Sequence, residues 1–181
     1  MMMQSFFKLS DAVQRLLELL VILLVLTLVG DVLWGVAARF GSHFGLSPSL
    51  WTEELARLLL IWVTFLGAAV GFARREHLGL DYFANKLHPD ARRTLACVSE
   101  LIVIAFAATA LVYGGMVLVR ETLGAGQFTP ALQLKMGYVY LAAPIAGACI
   151  ILFGLKRLLE LIFHPAPMSQ THDVETAARL D

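Results

Sequence analysis

Four ionisable residues, Glu18, Asp31, Arg57 and Glu100, fall inside or at the edge of long apolar runs of this chain. A charge at the centre of a bilayer costs about 3 kcal/mol or more, so each of them needs a partner, water or an interfacial depth. Glu18 and Glu100 lie close to the start of their runs and read as boundary residues, with Arg92 and Arg93 two turns behind Glu100. Asp31 and Arg57 are different. Asp31 stands two turns before Arg39, and Arg57 lies nearly as far beyond Trp51. At about 1.5 Å of rise per residue, the two depths agree to within about a turn. The spacing therefore predicts an ion pair between two adjacent helices, with Glu53 and Glu54 as alternative partners for Arg57 from the preceding turn. Such a pair is either a structural clamp, the preferred reading, or a group that binds substrate or ion directly.

Little else in the chain is equipped for chemistry. His43, His77, His88, His164 and His172 all fall in loops or at boundaries, so no haem is expected between spans. There is no P-loop, no HExxH, no GxSxG and no pair of intramembrane carboxylates suited to acid–base work. An enzyme is not expected, nor a cofactor or a bound metal. Cys97 and Cys149 show no metal-ligand spacing and read as small buried residues. With 14 basic and 14 acidic residues, the chain lacks the basic excess of a nucleic-acid-binding protein.

The elements that must position these residues are membrane helices. Of 181 residues, 59% are hydrophobic and only 15% charged, and the mean hydropathy is +0.75. Runs of about 20 apolar residues match the roughly 30 Å hydrocarbon core of a bilayer. Four are expected, at about 16–36, 55–73, 95–119 and 136–155. They make an all-α transmembrane domain over 1–160, followed by a polar cytoplasmic tail over 161–181. The first run is too long for a cleavable signal peptide and no small-residue cleavage site follows it. Ser47 and Pro48 read as the cap and first position of the second helix, and Gly124, Gly126 and Pro130 mark a loop before the fourth.

Charge placement gives the orientation. Ten basic residues lie at the N-terminus, in the loop between spans two and three, or in the C-terminal segment; only Arg39, Arg57, Arg120 and Lys135 lie on the other side. By the positive-inside rule, both termini and the second loop face the cytoplasm. In that second loop Leu80, Phe83, Ala84 and Leu87 recur at helical spacing, which predicts an amphipathic surface segment. Trp51, Arg74, Arg75 and Phe83 are the expected interfacial anchors. Small residues mark close helix packing, in this subunit or against another: Gly67 and Gly71 in span two, and Gly147 beside Pro144 in span four. Pro144 is expected to kink its helix, because it removes one donor.

The stretch WTEELARLLLIWVTFLGAAVGFARREHLGLDYF resembles the second span and following cytoplasmic segment of a known family. That family is the small membrane subunit, of the DctQ type, of tripartite ATP-independent periplasmic (TRAP) transporters. FTPALQLKMGYVYLAAPIAG, with Tyr138, Tyr140 and Pro144, resembles the entry to its last span. The likeness covers roughly residues 10 to 160. It implies a multi-pass protein of a bacterial or archaeal inner membrane, paired with a large membrane subunit that carries the substrate and sodium sites and moves as an elevator. It further implies a soluble periplasmic substrate-binding protein that delivers an organic acid, such as a dicarboxylate or sugar acid. The small subunit would brace the static part of the large one in ion-coupled uptake. Two other readings compete. One is a self-sufficient four-span transporter of the drug–proton antiporter type, with Glu18 as its proton-coupled carboxylate; the other is a membrane anchor without transport.

Overall fold

The computed structural model describes residues 2–41, 50–74 and 89–163. The first apolar run lies inside a single helix, α1, Met2–Gly41. No proline interrupts it and Leu and Val dominate, so the expected N-terminal lead-in simply continues the helix. Forty residues make a rod of about 60 Å, twice the hydrocarbon thickness, so α1 must tilt or project beyond it. A second helix, α2, runs Leu50–Ala73.

The third span is built from three consecutive pieces: α3, Pro89–Phe106; a π-helical segment, Ala107–Gly114; and α4, Gly115–Gly124. Sequence periodicity predicts one uniform helix there, so the wide turn is a correction. Gly126, at φ 62°, caps α4, and the Gln127 N–H reaches back to the Thr122 carbonyl at 3.4 Å. The fourth span is broken too, into α5, Met136–Tyr140, and α6, Ala142–Phe163. Pro144 sits in the first turn of α6 and cannot donate to the Tyr140 carbonyl, so the break falls at Leu141, just before the proline rather than around it. Four helices, Phe6–Gly41, Trp51–Ala73, Thr94–Gly124 and Met136–Leu161, are long and apolar enough to cross a membrane. Among the described residues there is no strand, only an isolated antiparallel bridge between Phe128 and Lys135. The expected amphipathic segment, with Arg75 and Phe83, lies outside the described residues, as does the tail from residue 164.

The spans pack as a row. α1 lies along α2, α2 along α6, and α6 along the third span. α6 is the most enclosed, and its Ala142 and Ala146 are fully buried, as is Ala69 of α2. Small residues let these backbones approach. A Cβ at Gly147 would stand 2.7 Å from the Leu111 Cβ and 3.3 Å from the Ala107 carbonyl, both in the π segment; one at Gly115 would stand 2.9 Å from Pro144 Cδ. A Cβ at Gly67 meets nothing within 4 Å. Gly147 and Gly115 therefore mark a close approach of α6 to the third span, whereas Gly67 meets no described neighbour. The outer helix α1 keeps a broad apolar surface exposed, including Leu26, Leu33 and Trp34.

Candidate functional site

The two ends of the row carry different polar constructions. At the end holding the start of α1 and the close of α6, three ion pairs stitch three pairs of helices. Lys156 donates to Asp11 at 2.6 Å, joining α6 to α1, with the Phe7 ring centroid 5.9 Å from its ammonium. Arg74, just past α2, donates to Glu18 of α1 at 2.9 Å, and Gln14 adds a bond to the same oxygen at 3.0 Å. Arg157 of α6 lies 3.6 Å from Glu100 of α3, whose side chain is 5% exposed. Glu100 thus meets a cation across the helix interface. Sequence spacing does not show this partner, because a helix crossing is not visible in one dimension. Glu18, the carboxylate offered for proton coupling, is held by an arginine and a glutamine.

At the opposite end the loop between α4 and α5 is held by α2. The Glu54 Oε2 accepts the backbone N–H of Ala131 at 2.6 Å and that of Leu132 at 3.1 Å. Thr129, 1% exposed, hydrogen-bonds the same carboxylate and accepts the Leu134 N–H at 3.0 Å. The loop closes on itself through Thr129 N–H to the Leu134 carbonyl at 2.8 Å and Met136 N–H to the Gln127 carbonyl at 3.0 Å. The chain reverses at Gln133, φ 53°, the only non-glycine residue with positive φ among those described. A carboxylate accepting two adjacent N–H groups acts here as the cap that the turn after Pro130 lacks. Glu53, its neighbour, pairs with Arg39 across α1 and α2.

The expected Asp31–Arg57 pair is not formed. Asp31 lies in the α1–α2 seam, 7% exposed, and neither carboxylate oxygen has a hydrogen-bond partner. Arg57 is exposed, and the charge it acts on is that of Glu54 on its own helix. Equal depth is not equal azimuth: Asp31 is buried one turn before Gly35, which meets Thr52 of α2, whereas Arg57 is exposed and five residues beyond Thr52, so it lies well round α2 from that contact. The α1–α2 clamps are instead Arg39–Glu53 and Glu18–Arg74. Glu54 as a loop latch was missed because the residues it binds are backbone N–H groups, which carry no side-chain signature. The acceptor-poor sequence TPAL, where Pro130 precedes two free donors, was the available signal.

Cys97 and Cys149 are free thiols, each partly buried. Among the described residues no group of three His, Cys, Asp or Glu side chains gathers as a metal-ligand set. The arrangement is one of braces: paired charges at one end and a latched loop at the other.

Residues 28–164 match the family model "Tripartite ATP-independent periplasmic transporters, DctQ component". A Haemophilus influenzae protein provisionally named a TRAP transporter small permease protein is 29% identical over 155 residues, covering 86% of this chain and 92% of its own. The sialic acid TRAP transporter small permease protein of Vibrio cholerae is 24% identical, covering 85% of this chain and 86% of its own. The C4-dicarboxylate TRAP transporter small permease protein of Rhodobacter capsulatus is 31% identical, over 64% of this chain and 53% of its own.

Proposed function

Because the chain belongs to the DctQ component family of TRAP transporters, we propose that its own task is to brace the large permease subunit rather than to carry substrate. It is a small, multi-pass subunit of a TRAP transporter in a bacterial inner membrane, and it works with a large permease subunit and a substrate-binding protein. The observation that carries the bracing role is the distribution of its polar groups. Ion pairs and hydrogen bonds join helix to helix or helix to loop, and the row of spans leaves broad apolar faces for lipid and partner. Four spans without an inverted repeat are also little machinery for alternating access. No catalytic step is assigned to any residue.

The transported compound is an organic anion. Relatives named for sialic acid and C4-dicarboxylate support that class. The termini and the second loop lie on the cytoplasmic side, as the basic residues require, so the Glu54-latched loop faces the periplasm.

The test is reconstitution. The chain alone in liposomes is expected to show no substrate uptake, whereas the chain with its large subunit and binding protein shows ion-driven uptake. Uptake by this chain alone would overturn the bracing role. For orientation, a cysteine at Gln127 is expected to label from outside intact cells and one at Asn85 is not; the reverse would overturn the topology.

A further inference from the structure

The two ion pairs that join α1 to α2, Arg39–Glu53 and Arg74–Glu18, stand at opposite ends of the helix pair. Glu18 and Arg39 are 21 positions apart along α1, and Glu53 and Arg74 are 21 apart along α2. The two helices therefore run side by side for about 32 Å, close to the thickness of the hydrocarbon core. This register decides how α1, 40 residues long, meets the bilayer. To fit about 60 Å of helix within about 30 Å, α1 would have to tilt by about 60°. Its clamped neighbour α2 would tilt with it, and the 24 residues of α2 would then cover only about 18 Å, too little to span. Tilt is thereby excluded as the way α1 is accommodated, and one of its ends must leave the membrane.

The exposed surface of α1 shows which end. From Leu16 to Ala37 every exposed residue is apolar except Thr27, whose hydroxyl bonds the Leu23 carbonyl of its own helix. Beyond that band Arg39 leaves only Phe40 and Gly41 before α1 stops. Ahead of it Lys8, Asp11 and Arg15 are all exposed, and α1 has begun at Met2. We propose that the first four turns of α1, from Met2 to about Arg15, project about 20 Å out of the bilayer into water, with the end of α6 beside them. The polar groups there support this placement. A cavity of about 60 Å³ lies where α2 ends, lined by Ser10 and Gln14 of α1 and by Lys156, Arg157 and Glu160 of α6. Such a lining is costly inside hydrocarbon and ordinary at its edge or beyond it. Lys156, paired with Asp11 and set over the Phe7 ring, fastens the projecting turns to α6. The two α1–α2 ion pairs then lie at the two headgroup levels and fix the depth of the chain. That the water is the cytoplasm rests on the orientation proposed above; the projection itself does not.

The test is spin-label accessibility in the transporter's membrane complex, held in lipid nanodiscs, with Cys97 and Cys149 replaced by alanine. Single labels are attached to Leu9→Cys, Ala12→Cys, Leu19→Cys, Leu23→Cys and Leu26→Cys, all at exposed positions of α1. Collision with a water-soluble nickel chelate is expected to dominate at positions 9 and 12, and collision with oxygen at 19, 23 and 26. Dominance of oxygen at 9 and 12 would overturn the projection, because those turns would then lie in lipid. Weak collision with both reagents there would overturn it too, because protein rather than water would cover them. A second measurement keeps the native cysteines and follows a membrane-impermeant maleimide on Ala12→Cys against the unsubstituted chain. Labelling in inside-out vesicles and not in intact cells is expected. Labelling from neither side would overturn the projection, whereas labelling only in intact cells would overturn the orientation and leave the projection standing.

Discussion

The Glu54 Oε2 lies 2.6 Å from the backbone nitrogen of Ala131, a residue 77 positions further along the chain. One carboxylate on α2 thereby fixes the loop that leads into the fourth span. It does so at the start of α2, where the exposed N–H groups of the helix favour a negative charge. The loop has no core of its own, since Phe128 and Leu134 are exposed and only Thr129 is fully buried. Its shape rests on this latch and on hydrogen bonds within the loop, among them Thr129 N–H to the Leu134 carbonyl, Gln133 N–H to the Thr129 carbonyl and Met136 N–H to the Gln127 carbonyl.

Removing the latch is expected to free the loop without unfolding the spans. Hydrogen bonds to a charged group contribute about 1.5–3 kcal/mol, so Glu54→Ala should speed amide exchange at Ala131 and Leu132 by at least about tenfold. Glu54→Gln keeps one acceptor oxygen and should fall between. Unchanged exchange in Glu54→Ala would show that the loop holds its shape unaided.

The Glu100–Arg157 pair joins α3 to α6 with the carboxylate nearly buried. Breaking a buried pair from one side costs about 3–5 kcal/mol, whereas replacing both partners by apolar residues is often close to neutral. Glu100→Ala is therefore expected to lower the thermal midpoint of the purified protein markedly. Glu100→Leu with Arg157→Met should recover much of that loss. A double variant as unstable as the two singles combined would argue against direct coupling.

Glycine substitutions should separate packing inside the chain from packing against a partner. Gly147→Ala forces a Cβ against Leu111 and the Ala107 carbonyl and should destabilise the chain by about 1–3 kcal/mol. Gly67→Ala meets open space, and the better helix former should stabilise the chain by up to about 1 kcal/mol. Thermal melts in detergent check both. If Gly67→Ala instead lowers recovery of the large subunit, the α2 face is part of the subunit contact.

Asp31 is buried without a hydrogen-bond partner, and Arg57 is exposed elsewhere. Exchanging their signs, Asp31→Arg with Arg57→Asp, should therefore rescue nothing relative to the single variants. Asp31→Asn removes a buried charge and should raise the stability of the isolated chain, by on the order of 1 kcal/mol. A fall of several kcal/mol would mean that a cation reaches Asp31 in the folded protein.

The sequence by itself determined the number of spans and where the apolar runs fall along the chain. Those features are one-dimensional. Hydrocarbon thickness sets how long an apolar run must be, and the cost of charge in lipid keeps Arg74, Lys156 and Arg157 towards one end of their spans. Tertiary structure decided which charges meet. Asp31 and Arg57 match in depth but point in different directions around their helices, while Glu100 and Arg157 are 57 positions apart and touch. Azimuth depends on how each helix is rolled against its neighbour, and that roll is settled by where small residues such as Gly147 admit a close backbone. The π segment and the break at Leu141 follow the same rule. They answer to the surface of the adjoining span, and hydrophobic periodicity along one helix does not record it.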